Sequence, residues 1–361
     1  MLGVLGNWYK RKFSDPNSLM LLLLILFSFA IFYIFGGILM PVIVAIVIAY
    51  LLDVPVSRLE SLGIRRSLAS TFTLVIFIFA CFVTAVALLP IISKQSVNLI
   101  REIPNIWDSM QQWLTTLPEK YPSVIEVTYI QSMLEGVNER LVGFGEQVLS
   151  ASFSSLGNIA AIVIYIVLVP LMVFFMLNDK RMFIQSLSKV LPKERVLITQ
   201  VGAEMNTQIA NYIRGKVIEI LIVGAVSSIA FIILDLRFAL LLGVLVGVSV
   251  LIPFIGAAVI TIPVAIVALF QFGFSAEFGY VMVVYLVIQI LDGNVLVPIL
   301  FSEAVNLHPL YIIVAVLLFG GIWGFWGVFF AIPLATLVKA IIAAWSAPKQ
   351  HIATDKASDI V

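Results

Sequence analysis

The chain has 361 residues, 62% of them hydrophobic and 11% charged, with a net charge of +1 and a mean hydropathy of +1.14. A soluble globular chain is about 45–50% apolar and about 25% charged. So little polar surface excludes a cytosolic enzyme and a disordered chain, and a net charge near zero gives no field for gathering nucleic acid. Cys81 is the single cysteine, and His308 and His351 are the two histidines. They supply no internal disulfide, no thiolate cluster and no metal-ligand set, so no cofactor, metal ligand or catalytic residue is assigned.

The apolar stretches are long rather than alternating, which points to helices crossing a bilayer. In chain order they are Leu19–Gly36, Gly37–Leu52, Leu68–Ile92, Leu156–Leu177, Val217–Leu234, a block from Phe238 to Phe272, Gly279–Phe301, and a block from Leu310 to Trp345. Lys10, Arg11 and Lys12 precede the first stretch without a small-residue cleavage site after it, so it reads as a retained signal anchor. The two blocks are each too long for one crossing and are broken internally. Pro253 and Gly256 interrupt the first; Gly320, Gly321, Gly324 and Gly327 interrupt the second. Each is expected to fold as a hairpin, re-entrant or paired. The expected fold class is an all-α polytopic membrane protein of about eight transmembrane segments, two of them Gly/Pro-broken hairpins.

Loop charge sets the expected orientation and divides the chain. Residues 1–92 form an N-terminal transmembrane region, 93–155 an acidic extracytoplasmic helical segment, and 156–177 a span. Residues 178–216 form a basic cytoplasmic region with an amphipathic helix (Val201, Met205, Ile209 and Tyr212/Ile213 on one face). Residues 217–345 form the C-terminal transmembrane region, and 346–361 a tail. The positive-inside rule puts both termini, the loop near Arg58, Arg65 and Arg66, and the 178–216 region in the cytoplasm. Within 93–155, Pro104, Pro118 and Pro122 are expected to break the helical pattern of Glu102–Met110 and Ile130–Val148, and Trp107 and Trp113 suit an interface or a small core. That segment reads either as a lid or partner surface, or as a hairpin packed on its own neighbours.

Polar groups at membrane depth mark function by default. Gln289, Asp292 and Asn294 stand in one span, and Gln289 and Asp292 are three apart on one face. Gly293 and Asn294 are poor helix formers, so the helix is expected to open there and free carbonyls for an ion or substrate. The alternative is that Asp292 pairs with an arginine or caps a helix. Glu303, Asn306 and His308 follow in a polar joint, either a turn or a pathway mouth. Glu219 is expected to pair locally with the nearby cations or to snorkel. Gly243/Gly247 and Gly320/Gly324 match small-xxx-small packing. Ile262-Pro263-Val264-Ala265 and Ile332-Pro333-Leu334-Ala335 resemble each other, a pattern that points to a binding region if it is more than chance. Gly215-Lys216-Val217 lacks the glycine and hydroxyl of a P-loop, so the chain carries no ATP site.

Several motifs resemble the autoinducer-2 exporter family of membrane proteins. They are Phe13-Ser14-Asp15-Pro16, Ala49-Tyr50-Leu51-Leu52 with Pro55, Asn211-Tyr212-Ile213-Arg214-Gly215-Lys216 and Val250-Leu251-Ile252-Pro253-Phe254-Ile255-Gly256. Further on come Leu291-Asp292-Gly293-Asn294, the run Leu300 to Pro309, and the run Phe319 to Gly327 closing at Ile332-Pro333-Leu334-Ala335. The resemblance implies a multi-spanning transporter of the bacterial inner membrane, exporting a signalling molecule such as autoinducer-2 or exchanging Na⁺(Li⁺) for protons. It also implies a homo-oligomer, expected to be a pentamer. The pathway residues expected are Gln289, Asp292, Asn294, Glu303, Asn306 and His308, with helix breaks at Pro253, Gly256, Gly321, Gly324, Gly327 and Pro333. The expected partners are the lipid bilayer and a small solute or cation. A non-transporting oligomeric scaffold and an uncoupled pore are the other two readings.

Overall fold

The computed structural model describes residues 16–120, 159–190, 196–301 and 307–346, and among these no strand occurs. The helices are α1 (Pro16–Ser61), α2 (Arg66–Lys120), α3 (Ile159–Asn178), α4 (Lys180–Val190), α5 (Val196–Ile233), α6 (Ala239–Ser249), α7 (Ile255–Phe272) and α8 (Ala276–Leu291). A π-helical stretch, Asp292–Leu296, leads into α9 (Val297–Phe301); α10 (Pro309–Trp323), α11 (Phe325–Phe329) and α12 (Ala331–Ser346) complete the chain. Five helices among the described residues are long and apolar enough to cross a membrane. Together they define a multi-pass helical membrane protein.

Helix continuity departs from the sequence reading in two places. The stretches Leu19–Gly36 and Gly37–Leu52 are one helix, because α1 runs through the glycine pair and through Pro41 and Pro55. Likewise α2 continues past Ile92 and through Pro104 to Lys120, so Pro104 and Pro118 do not end it. For α1 the reason lies in the bilayer: an opened helix in hydrocarbon leaves N–H and C=O groups unsatisfied, which costs more than the one hydrogen bond lost at a proline. Pro104 lies beyond the apolar stretch, where α2 is held by the contacts of Gln95 and Glu102. Pro122 and Ile130–Val148 lie outside the described residues.

The chain divides into two compact units. One comprises Leu39–Phe183 and Ile213–Leu300. Its first core cluster packs Val223, Phe231, Leu242, Val246, Val264, Val281 and Tyr285 from α5 to α8. Its second packs Ala45, Leu52, Val56, Ala69, Val173 and Leu177 from α1, α2 and α3. Small residues set the α5–α6 crossing, as their spacing predicts. A Cβ built on Gly247 would lie 2.7 Å from Gly224 Cα, and one on Gly243 would lie 2.6 Å from Ser228 Cα. With lipid tails on all sides, such close backbone contact replaces the hydrophobic drive that water would supply.

Charges gather at the two ends of this unit. At one end Arg66 bonds Glu60 at 2.7 Å and lies 3.7 Å from Asp53, while Lys180 reaches Asp53 at 2.8 Å and Arg181 reaches Glu60 at 3.0 Å. Arg66 Nε also donates to Leu177 O, so this network joins α1, α2, α3 and α4. At the other end Arg237 reaches Glu102 at 3.4 Å, the Gln95 side chain accepts from Leu241 N–H, and Gln271 donates to Asp235 O. The first two contacts fasten the extension of α2 beyond Ile92 to the loop before α6 and to its first turn, and the third ties the end of α7 to that loop.

The other unit comprises Met1–Ile38, Ile184–Tyr212 and Phe301–Val361. Here Tyr212 is the anchor: its hydroxyl donates to Phe329 O at 2.8 Å, and its ring meets those of Phe301 and Phe329. The second broken block folds back on itself, with α10 packed on α11 and α12. Gly324 makes the break with φ 59°, and a Cβ on Gly327 would fall 1.8 Å from Phe319 O. Gly320 faces Val328, whereas Gly321 sits inside α10 with open space beside it. Pro333 lies in the first turn of α12, where no intrahelical N–H is needed, while Pro263 lies mid-way along α7. The matching tetrapeptides therefore occupy different helical positions.

The α5–α6 crossing makes a direct prediction. Gly247→Val places a side chain against backbone that cannot rotate away, and overpacking of this kind costs about 1–3 kcal/mol. The thermal unfolding midpoint of the purified protein should drop by several degrees. Gly279→Val, at a position with nothing within 4 Å, should leave that midpoint nearly unchanged.

Candidate functional site

The first broken block builds the site. α6 has only 11 residues, about 16 Å of rise, and cannot cross a hydrocarbon core of about 30 Å. It ends at Val250, and the chain turns through Leu251–Phe254 before α7 begins. Phe254 takes a left-handed conformation, φ 62°, of the kind that costs about 1–3 kcal/mol in a non-glycine residue. Gly256 follows because a Cβ there would sit 1.8 Å from Ser249 O. Ser249 O is met within the turn by Ile252 N–H, and Val250 O is left facing a neighbouring helix, α5.

Lys216 of α5 answers that end. Its ammonium donates to Val250 O at 2.8 Å and pairs with Glu219 Oε2 at 2.8 Å. Both residues are buried, with relative exposures of 4% and 2%. An ammonium at a helix C-terminus satisfies an orphan carbonyl and complements the negative end of the helix dipole. Neither charge would persist alone in this setting; each is retained because the other neutralises it.

Asp292 lies within electrostatic range of this pair, of Lys216 and of Glu219 alike. α8 positions it. Tyr285 is fully buried, donates to Ala257 O at 3.0 Å and meets Thr261 Oγ1 at 2.9 Å, which pins α8 to the first turns of α7. Gln289 and Asp292 follow Tyr285 at i+4 and i+7 and so extend the same face. Gln289 Nε2 and Asp292 Oδ1 are both buried atoms without a hydrogen-bond partner among the described residues.

The helix does not open at Gly293. It widens instead into the π-helical turn Asp292–Leu296, with Val297 N–H donating to Asp292 O. Such a bulge shifts the register of the side chains while the helix continues, and it recurs at functional sites. The shift separates two of the expected residues: Asp292 is half-buried, whereas Asn294 is exposed and donates back to Ile290 O at 2.9 Å. His308 is an exposed N-cap of α10, its Nδ1 accepting from Leu310 N–H and its ring edge-on to Tyr311. Glu303 and Asn306 lie outside the described residues. Among the described residues no three His, Cys, Asp or Glu side chains form a metal-binding group.

The expected set gave Lys216 no role and left Glu219 as a local pair. That pair forms, but it is sealed inside the protein rather than reaching to the surface. The signal available in the sequence was the spacing of Lys216 and Glu219, three apart on one helical face at the start of an apolar stretch. What no spacing revealed was the third partner, the Val250 carbonyl.

A short broken helix, a buried ammonium at its end and carboxylates from two other segments define a helical membrane protein with a charged site inside its spans. The chain belongs to the AI-2E transporter family, whose model, described as "AI-2E family transporter", matches residues 22–347. It is 51% identical over 345 residues, 96% of this chain and 98% of the other, to a protein of Escherichia coli (strain K12) named "Putative permease PerM". More distant relatives include "Putative transport protein YueF" of Bacillus subtilis (strain 168), 28% identical over 83% of this chain and 82% of the other. "Putative transport protein sll0063" of Synechocystis is 24% identical over 94% and 88%.

Truncating one partner tests the buried pair. Lys216→Met leaves Glu219 buried without its counter-charge, and such a loss typically costs about 3–5 kcal/mol. Thermal unfolding should show a large drop for Lys216→Met and a clear partial recovery for Lys216→Met combined with Glu219→Gln.

Proposed function

We propose that the chain is a secondary transporter of the bacterial inner membrane. It moves a small solute, a signalling molecule such as autoinducer-2, or exchanges cations for protons. The carrying observation is the juxtaposition of Lys216, Glu219 and Asp292 beside the α6–α7 break. Charges in apolar spans are retained where they bind or relay something, and a helix end at a break supplies carbonyls for the same purpose. Asp292 is the group that exchanges its partner. Its Oδ1 is buried without a hydrogen-bond partner among the described residues, and Gln289 stands one turn away to orient a ligand. Lys216 and Glu219 hold the break in place around it. Membership of a family of transport proteins supports the same reading.

By the positive-inside rule the end of the unit carrying Arg58, Arg65, Arg66, Lys180 and Arg181 faces the cytoplasm, and Lys349 and Lys356 place the C-terminal tail there too. The functional protein is a homo-oligomer, with the pentamer as the expected form.

Purified protein reconstituted in liposomes tests the assignment. An imposed proton gradient should drive flux of autoinducer-2, Na⁺ or Li⁺, and Asp292→Asn should reduce that flux at least tenfold while folding and oligomer mass are preserved. Flux unchanged by Asp292→Asn removes Asp292 from the pathway, and flux indifferent to the gradient identifies an uncoupled pore.

A further inference from the structure

A separate feature lies at the basic end of the unit that contains Leu39–Phe183. The end of α1 and the start of α2 enclose a groove of about 480 Å³, lined by Leu59, Ile64, Leu68, Ala69, Phe72 and Val75. Thr71 also borders it, and its hydroxyl is bonded to Ser67 O at 2.9 Å, so it offers the groove little polarity. The walls are largely exposed: Leu68 is 63% exposed, Phe72 58% and Val75 57%. This is an apolar channel open along its length.

Charge at its head identifies the occupant. The described residues of this end carry five cationic side chains, Arg58, Arg65, Arg66, Lys180 and Arg181, against three carboxylates, Asp53, Glu60 and Asp179. Asp53 and Glu60 are committed to Arg66, Lys180 and Arg181, and Asp179 accepts from Asn178. Arg58 and Arg65 are exposed and form no ion pair among the described residues. Arg65 precedes α2 and stands at i, with Leu68 at i+3 and Phe72 at i+7, so the cation heads the same stripe that walls the groove. Arg58 precedes Leu59, the α1 wall. Two exposed guanidinium groups, free of ion pairs among the described residues and next in sequence to the walls of an apolar groove, match a molecule with an anionic head and a hydrocarbon tail.

We propose that this groove binds one anionic phospholipid of the surrounding bilayer, its phosphate held by Arg65 and Arg58 and an acyl chain lying along Leu68, Phe72 and Val75. The site is independent of the transport assignment. A second copy of the chain is the competing occupant. It would have to bring carboxylates to Arg58 and Arg65 as well as an apolar face.

Native mass spectrometry of the intact protein, released from detergent mixed with equal amounts of phosphatidylglycerol and phosphatidylcholine, tests the proposal. Wild type should retain phosphatidylglycerol in at least threefold preference. Arg58→Gln with Arg65→Gln should abolish that preference, and Leu68→Trp, which fills the groove without altering charge, should lower retention of the same lipid. Arg101→Gln, at the opposite end, should change nothing, and unfolding midpoints check that every variant is folded. Equal retention of both lipids overturns the proposal, as does a preference that survives the double arginine variant. A preference that survives Leu68→Trp while the oligomer mass falls also overturns it, because the groove is then a contact between copies.

Discussion

The buried contact between Lys216, Glu219 and the Val250 carbonyl is the interaction from which the arrangement of the larger unit follows. An ammonium in a hydrocarbon setting must be neutralised and must spend its remaining donors on oxygen. Glu219 supplies the charge and the end of α6 supplies the carbonyl. α6 can therefore stop after 11 residues, far short of a crossing, without leaving all of its C-terminal oxygens unsatisfied in an apolar environment. Remove the ammonium and the break becomes an energetic defect; remove the break and the ammonium loses its carbonyl acceptor, Val250 O. Each justifies the other.

That reciprocity needs α5 and α6 close together, which explains the small residues. Gly224 and Ser228 on α5 meet Gly247 and Gly243 on α6 at backbone contact distance, about two and about three turns beyond Lys216 along the same helix. Larger side chains would push the helices apart and draw the ammonium away from Val250 O. Gly256 has the same role on the far side of the turn, letting the start of α7 lie against Ser249 O. A glycine stripe and a buried salt bridge are two parts of one geometric requirement.

Much of this was legible before any coordinates. The membrane class followed from composition, the two broken blocks from glycine and proline within apolar runs, and a close helix contact at Gly243 and Gly247 from their spacing, though not the helix they would meet. The failures within the spans were of one kind. Gly36–Gly37 and Gly293 both read as places where a helix stops, and in each the backbone stays helical or becomes π-helical. Local propensity is measured against water, which readily receives a freed N–H or C=O. In hydrocarbon that receiver is missing, so a breaker residue breaks the helix only where the protein itself supplies partners for the exposed groups. At Val250–Gly256 it does, through Lys216. Gly293 has no comparable donor among its described contacts, and the chain accommodates it with a wider turn.

The same reasoning separates the two carboxylates of the site. Glu219 is fixed by its neighbour three residues away on the same rigid helix, so its charge is compensated within α5 itself. Asp292 has no such partner on α8. Lys216 is already shared between Glu219 and Val250 O, and among the described residues Asp292 Oδ1 has neither a hydrogen bond nor an ion pair, whereas Glu219 Oε2 pairs with Lys216 at 2.8 Å. It also opens a π-helical turn, the one described segment where the hydrogen-bond register can shift by a residue without opening the backbone. A structural ion pair gains from rigidity and full compensation; a transport site needs a charge that can trade its partner and a backbone that can move with it. Glu219 has the first set of properties and Asp292 the second, so under the proposed function Asp292 on α8 is the group that acts and α5 and α6 are its frame.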